Sequence, residues 1–421
     1  MPKPSMESDD KLHIVMLPWL AFGHMIPFLE LTKLIARKGR TVSFVDKLPE
    51  NAESTTDLPY DKVKYLKMAY DQLQQPMTQI LADMAPDWVI YDLAPYWLGP
   101  VAAKLGISSV FFSISIAASL CFAVTPKWIP FKSNIACFRL FEVKRIFDDV
   151  ASVDDENIPA TYRFGAGIEA CDVLAVRSTY EFEPEWLKLL QQIHQKPIIP
   201  IGLLPTTAYD ISDNGEAWTE IKEWLDKQSM GSVVYVAFGS EAKPSQAELT
   251  EIAFGLELSE LPFFWVLRNR LGVPDTEVIE LPNGFEERTK ERGVVCTSWA
   301  PQLKILSHDS VGGFLSHSGL SSVVEAIQFK KPLILLSSLA DTGLIARLLE
   351  EKKMAYLTSR EEQDGSFTRD SVADSLRLVI VEDEGRIYRE KVKEMSGLLV
   401  DDAVQDKYVN NFLGYLKRHK Q

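Results

Sequence analysis

The sequence predicts an α/β protein with two doubly wound parallel sheets. Three observations carry this. The chain runs to 421 residues, more than a single hydrophobic core usually serves. Strand-length apolar runs alternate with helical patterns in two separate series, as parallel sheets covered on both faces require. Between the series lies "KPIIPIGLLPTTAYDISDNGEA" (196–217), whose prolines, glycines and polar residues mark a domain seam.

In the first series, strands are expected at "HIVML" (13–17), "TVSFV" (41–45), "DWVIY" (87–91) and "SSVFF" (108–112). The segment "SSVFFSISIAASLCFAV" (108–124) is at the lower length limit for a membrane span and is interrupted by serines. A buried strand followed by a pocket-lining helix is therefore expected there. The second series gives "SVVYVAF" (232–238), "FFWVL" (263–267), "GVVCT" (293–297), "VGGFLS" (311–316) and "PLILL" (332–336). A helix resumes after the seam at "WTEIKEWLDK" (218–227). The segment "QDKYVNNFLGYLKRHK" (405–420) reads as an amphipathic helix with basic residues at its C-terminal end, where they oppose the helix dipole.

A formal net charge of −14 repels phosphate backbones and acidic membrane surfaces. Neither nucleic acid nor a membrane is an expected partner, and an anionic ligand must be held by local dipoles and donors. Cys121, Cys137, Cys171 and Cys296 show no CxxC and no histidine at metal-ligand spacing; buried free thiols in a reducing compartment, without zinc, are expected. The opening "MPKPSMESDDKL" lacks the basic start and apolar run of a signal peptide, so it reads as a short disordered lead.

In open parallel sheets, ligands bind beyond the carboxyl ends of strands, where helix N-termini point into the crevice. In the first half, His24 follows Gly23 just after the first strand, and Asp92 follows "WVIY". Singly, these are a packing histidine and a cap. Together on one sheet edge they can form a base and the carboxylate that holds its tautomer. No serine or cysteine in a nucleophile elbow accompanies them, so the base is expected to deprotonate a substrate.

In the second half, "VAFGS" places Gly239 and Ser240 at a strand end, and "FLSHSGLSS" places His317, Gly319, Ser321 and Ser322 at another. Ser322 with Glu325 three residues later satisfies a capping box, which leaves the histidine and its glycine unexplained. A helix N-terminus opened by small residues offers unpaired N–H groups to a phosphate, and a histidine beside it adds a donor. The stretch is read as a diphosphate seat. Asp341, after "PLILLSSLA", is placed to accept hydrogen bonds from ligand hydroxyls. The loose dinucleotide motif "GAGIEA" (165–170) follows polar "ENIPATYR" in place of a strand, and no Walker A sequence occurs, so neither cradle is expected to hold the nucleotide.

Trp299 to Thr342, "WAPQLKILSHDSVGGFLSHSGLSSVVEAIQFKKPLILLSSLADT", is similar to the signature box of the plant secondary-metabolite UDP-glycosyltransferases and matches it end to end without insertion. The resemblance extends from "LPWLAFGHMIPFLELTKLIARKG" through "WLDKQSMGSVVYVAFGS" to the C-terminal helix. It is nearest to the group that adds a sugar to the sugar of a triterpenoid, steroid, diterpenoid or flavonoid glycoside. It implies a GT-B fold of two Rossmann-like domains facing across a cleft. Residues 1–205 would bind the acceptor and 206–396 the UDP-sugar, with 397–421 packing back on the first domain. It implies inverting transfer to a hydrophobic glycoside by a cytoplasmic monomer, with no metal or further cofactor. Carried onto this sequence, Trp299 would stack on uracil, with the backbone around Ala300 and Gln302 pairing its edge. Glu325 would bind the ribose hydroxyls, and Ser240, His317, Gly319, Ser321 and Ser322 the diphosphate. Asp341 would bind sugar hydroxyls, and His24 and Asp92 would be the catalytic dyad.

The sequence departs from the family pattern at Leu320, commonly Trp, and at Thr342, commonly a Gln that contacts the donor sugar. Threonine has a shorter reach and fewer hydrogen-bonding groups, so UDP-rhamnose is expected before UDP-glucose. Family members are also usually longer. The missing length is expected after "TVSFV" and near "CFAVTPKW", at acceptor-bordering loops that the numbering would have closed up. Intact peptide bonds at Val45–Asp46 and Val124–Thr125, with an intact mass of 47.5 kDa, would contradict that. Phe22, Trp97 and Phe111, near the expected crevice of the first domain, are read either as a hydrophobic acceptor pocket or as ordinary core. Two other classes compete: a non-catalytic sugar-nucleotide or glycoside binder, against which the retained dyad speaks, and an NAD-type oxidoreductase, which the misplaced "GAGIEA" disfavours.

Overall fold

The computed structural model describes residues 12–38, 41–44, 55, 63–124, 133, 138–144, 158–207, 216–239, 244–267, 280–337 and 340–420. Ser240, Cys137 and the expected short loops after Phe44 and Val124 lie outside the described residues. The chain divides into two units. Met1–Trp128, Val153–Leu204 and Asp401–Gln421 form one; Ile129–Ser152 and Pro205–Val400 form the other. The expected boundaries put 129–152, Pro205 and 397–400 in different units from those found. In the first of these segments, Glu142 is buried in an ion pair with Arg347 of the second unit.

The first unit runs β1 (His13–Leu17), α1 (Phe22–Arg37), β2 (Thr41–Phe44), α2 (Val63–Asp71), α3 (Gln74–Met84), β3 (Trp88–Tyr91), α4 (Leu98–Leu105), β4 (Ser108–Ser113), α5 (Ala117–Val124), α6 (Ala160–Ala170), β5 (Val173–Val176), α7 (Pro184–His194) and β6 (Ile198–Pro200). Its strands pair in parallel in the order β2-β1-β3-β4-β5-β6. Every residue of β3 and β4 is buried, as unbroken apolar runs dictate for strands covered on both faces. The order reverses between β1 and β3, which pair from Ile14↔Trp88 to Leu17↔Tyr91. Such a reversal opens a crevice at the strands' carboxyl ends. The "GAGIEA" glycines lie inside α6. A Cβ at Gly167 would sit 2.7 Å from the Phe111 ring, so that glycine serves close packing of helix on sheet.

The second unit runs α8 (Glu216–Asp226), β7 (Val233–Ala237), α9 (Gln246–Ser259), β8 (Phe263–Val266), α10 (Phe285–Thr289), β9 (Gly293–Cys296), α11 (Gln302–Ser307), β10 (Val311–Ser316), α12 (Leu320–Gln328), β11 (Leu333–Leu335), α13 (Ala340–Glu351), β12 (Ala355–Leu357), α14 (Arg369–Ile380) and α15 (Arg386–Leu399). Its strand order is β12-β11-β10-β7-β8-β9, reversing between β7 and β10.

The last helix, α16 (Asp402–Arg418), belongs to the first unit. Asp401 caps it, accepting from the Ala403 N–H at 2.9 Å. Val409, Phe412, Leu413 and Leu416 join Ile14, Met16, Trp88 and Ile90 in one core. The Trp88 indole N–H donates to the Leu416 carbonyl at 3.2 Å. Among the described residues no helix is long and apolar enough to cross a membrane.

Candidate active site

At the reversal of the first sheet, α1 starts from extended Ala21 and brings His24 against the residue that follows β3. His24 Nδ1 lies 2.8 Å from Asp92 Oδ2. Asp92 is 2% exposed and also accepts the Trp19 N–H (2.7 Å) and the Ala94 N–H (3.1 Å). These donors compensate the burial of its charge. With Nδ1–H given to the carboxylate, His24 Nε2 carries the free lone pair, and the ring keeps 15% side-chain exposure. Tyr70 buttresses this corner: its hydroxyl donates to the Pro18 carbonyl at 2.7 Å and its ring meets Trp19 edge-on. Burial, with the Asp92 charge adding, holds that phenol well above its ordinary pKa.

Of the expected acceptor residues, Phe22 is 47% exposed beside the dyad. Trp97 and Phe111 follow the other of the two readings, that of core residues. Trp97 is 4% and Phe111 1% exposed; Phe111 packs edge-on against Tyr91 and Phe164 and belongs to the core. The exposed aromatic surface near Asp92 is instead Tyr162, 60% exposed, paired with Tyr96 at 6.0 Å. Buried Arg163 fixes this pair. It stacks on Tyr96 at 5.1 Å and donates to Asp71 (2.6 Å) and to the Ala94 carbonyl (3.1 Å).

At the reversal of the second sheet, Ser316 of β10 pairs with Ala237 of β7, and the next residues are His317 and Phe238. The imidazole is caged by glycine backbone. A Cβ at Gly239 would lie 2.7 Å from His317 Cε1, and one at Gly319 would lie 2.6 Å from Nε2. Nδ1 is buried and has no partner among the described residues. Burial lowers the ring's pKa to about 4, so the ring is neutral at ordinary pH. Helix α12 begins at Leu320 with Gly319 as N-cap and no side-chain cap. The expected Ser322–Glu325 capping box is therefore absent, because the N-cap lies three residues earlier and both residues are inside the helix. Its first turn, with Ser321 and Ser322, is left open to an anion.

Beside this seat, Trp299 stands 61% exposed in the loop after β9, next to buried Ala300. Gln302 opens α11, where its side-chain amide donates to Glu325 (2.6 Å) and Ser322 (3.3 Å) and accepts from the Tyr235 hydroxyl (3.2 Å). Glu325 also accepts from the Thr206 hydroxyl at 3.2 Å. Asp341 is exposed in the first turn of α13, whereas Leu320 and Thr342 are buried.

Residues 202–421 match the family described as "UDP-glucoronosyl and UDP-glucosyl transferase". UDP-glycosyltransferase 91A1 of Arabidopsis thaliana is 48% identical over 455 aligned positions, 96% of this chain and 97% of that one. The chain belongs to the UDP-glycosyltransferase family. Soyasaponin III rhamnosyltransferase of Glycine max is 39% identical, covering 98% of this chain and 97% of its own. The solved structure of Phytolacca americana UGT2, complexed with UDP-2fluoro-glucose and pterostilbene, is similar at a TM-score of 0.74 and 24% identity, over 97% of this chain and 100% of that one. The fold is GT-B, and the protein is a UDP-glycosyltransferase. The alignment to the Arabidopsis relative has more positions than this chain has residues, so internal segments of that relative have no counterpart here.

In this glycosyltransferase the structure brings together His24 with Asp92, and separately Gln302, Ser322 and Glu325, with His317 set against Gly239 and Gly319. Sequence reasoning missed Tyr96, Tyr162, Thr206 and Ser318. Only Ser318, inside the matched box, carried a sequence signal.

Proposed function

We propose that this glycosyltransferase inverts the anomeric centre as it moves a sugar, rhamnose before glucose, from its UDP carrier onto the existing sugar of a hydrophobic plant glycoside of the triterpenoid, steroid, diterpenoid or flavonoid type. The observation that carries the chemistry is the 2.8 Å contact of His24 with buried Asp92. His24 Nε2 takes the proton of the acceptor hydroxyl as that oxygen bonds to the anomeric carbon. The carbon–diphosphate bond breaks, its electron pair leaves on UDP, and Asp92 stabilises the imidazolium. One in-line displacement inverts the centre.

On the donor side, Trp299 stacks on uracil, the backbone at Ala300 and Gln302 pairs its edge, and Glu325 takes the ribose hydroxyls. The uncapped start of α12, the neutral His317 ring, Ser240, Gly319, Ser321 and Ser322 meet the diphosphate charge. In this reading they supply the counter-field without a metal ion. Asp341 binds the sugar hydroxyls. Tyr96, Tyr162 and Phe22 offer aromatic faces to a hydrophobic acceptor.

Thr342 and Leu320, where the family pattern has Gln and Trp, support a donor with fewer or differently placed hydroxyls. The similarity to soyasaponin III rhamnosyltransferase supports both the sugar and a glycoside acceptor. Replacing Thr342→Gln is expected to shift the kcat/KM ratio from UDP-rhamnose towards UDP-glucose by about tenfold. A ratio that stays put in this variant contradicts the assignment of Thr342 to donor choice.

A further inference from the structure

The first turn of α13 is held at two points, by Ser318 and by Glu142, neither of which was assigned a role from the sequence. The Ser318 hydroxyl, fully buried, lies 2.8 Å from the Thr342 carbonyl oxygen and 2.6 Å from that of His317. Ser318 adopts a left-handed backbone, φ 66°, a conformation a serine keeps only where its surroundings impose it. At the next residue, the Glu142 carboxylate packs so closely on Gly343 that a Cβ there would overlap its Oε1.

Glu142 is itself immobilised. It is 1% exposed and forms a two-pronged ion pair with Arg347, one turn along α13, at 2.8 and 3.0 Å. The Arg139 N–H donates to it at 2.8 Å. A buried ion pair adds little net stability over apolar packing, but the planar guanidinium fork fixes a carboxylate in direction as well as distance. The Asp341–Gly343 turn is therefore tied through Ser318 to the His317 loop and through Glu142 to its own helix.

We propose that Glu142 and Ser318 are positioning residues for the donor sugar, fixing this turn relative to His317 and thereby which sugar hydroxyls Asp341 and Thr342 meet. The proposal rests on the reading that Asp341 and Thr342 contact that sugar. Displacement of a substrate-orienting group by a fraction of an ångström is enough to change selectivity between sugars that differ at single hydroxyls.

The test compares full-length wild type with Glu142→Gln, Ser318→Ala and Asp341→Ala, reading the thermal midpoint, the Kd for UDP, and kcat and KM with UDP-rhamnose and UDP-glucose. Glu142→Gln is expected to keep UDP affinity within about threefold while compressing the kcat/KM ratio between the donors by about tenfold, as Asp341→Ala does. Ser318→Ala is expected to compress the ratio in the same direction. If Asp341→Ala alters the ratio while Glu142→Gln and Ser318→Ala lower only the thermal midpoint, the positioning role is overturned and the donor-site reading stands. If Asp341→Ala leaves the ratio unchanged, that reading falls and takes the proposal with it. Should Glu142→Gln fail to fold, Arg347→Lys keeps the charge but loses the fork, and a wild-type ratio in that variant overturns the proposal equally.

Discussion

At the residue scale, His317 shows how backbone sets chemistry. Two glycines make room for its ring, and burial pushes its pKa from 6.5 down to about 4. Between those pH values the unfolded chain binds a proton here that the folded chain does not, so stability is full above the window and falls as pH drops through it. Urea unfolding at pH 7 and pH 5 should show wild type losing about 1–2 kcal/mol more than His317→Asn. Equal losses would mean that the ring is not held neutral. Trp299 gives a second test. Its indole is 61% exposed, so Trp299→Ala removes a stacking face and no core packing. UDP affinity measured by calorimetry should weaken at least about tenfold with the thermal midpoint unchanged.

At the scale of elements, α16 contributes one side of the first unit's core. Phe412 is fully buried against that sheet, so Phe412→Ala should cost about 3–5 kcal/mol in urea unfolding. A cost near zero would show α16 to be an accessory. This helix was legible in the sequence from its amphipathic pattern, as were the nine strands whose apolar runs stand clear of their surroundings. Strands β5, β6 and β12 were not. Strand β6 hides among the prolines of the seam. The start of α12 was misread for a related reason: a serine and a glutamate three apart look alike as a capping box and as residues one turn inside a helix. Side-chain exposure was the least legible property. Phe111 and Trp97 fall near the crevice by chain position, yet their side chains turn into the core. Tyr162 comes to stand exposed beside Tyr96 on a helix that is distant in sequence.

At the scale of the whole molecule, two sheets with the same reversal of strand order each place their candidate site residues at that reversal. His24 and Asp92 lie beyond β1 and β3, and His317 and Gly239 beyond β10 and β7. For a chain of net charge −14, the proposed reading has an anionic donor met locally, by a helix N-terminus and a caged neutral histidine.

The central claim is that His24 drives transfer from a UDP-sugar. The most direct measurement incubates the purified protein with UDP-rhamnose, UDP-glucose, UDP-xylose and UDP-galactose in turn, against a panel of terpenoid and flavonoid glycosides, and reads products by mass beside His24→Ala. The account predicts a one-sugar mass increment with a single preferred donor, falling about 10²–10⁴-fold in His24→Ala while UDP still binds. Product formed equally well by His24→Ala would contradict it, as would UDP binding with no transfer from any donor.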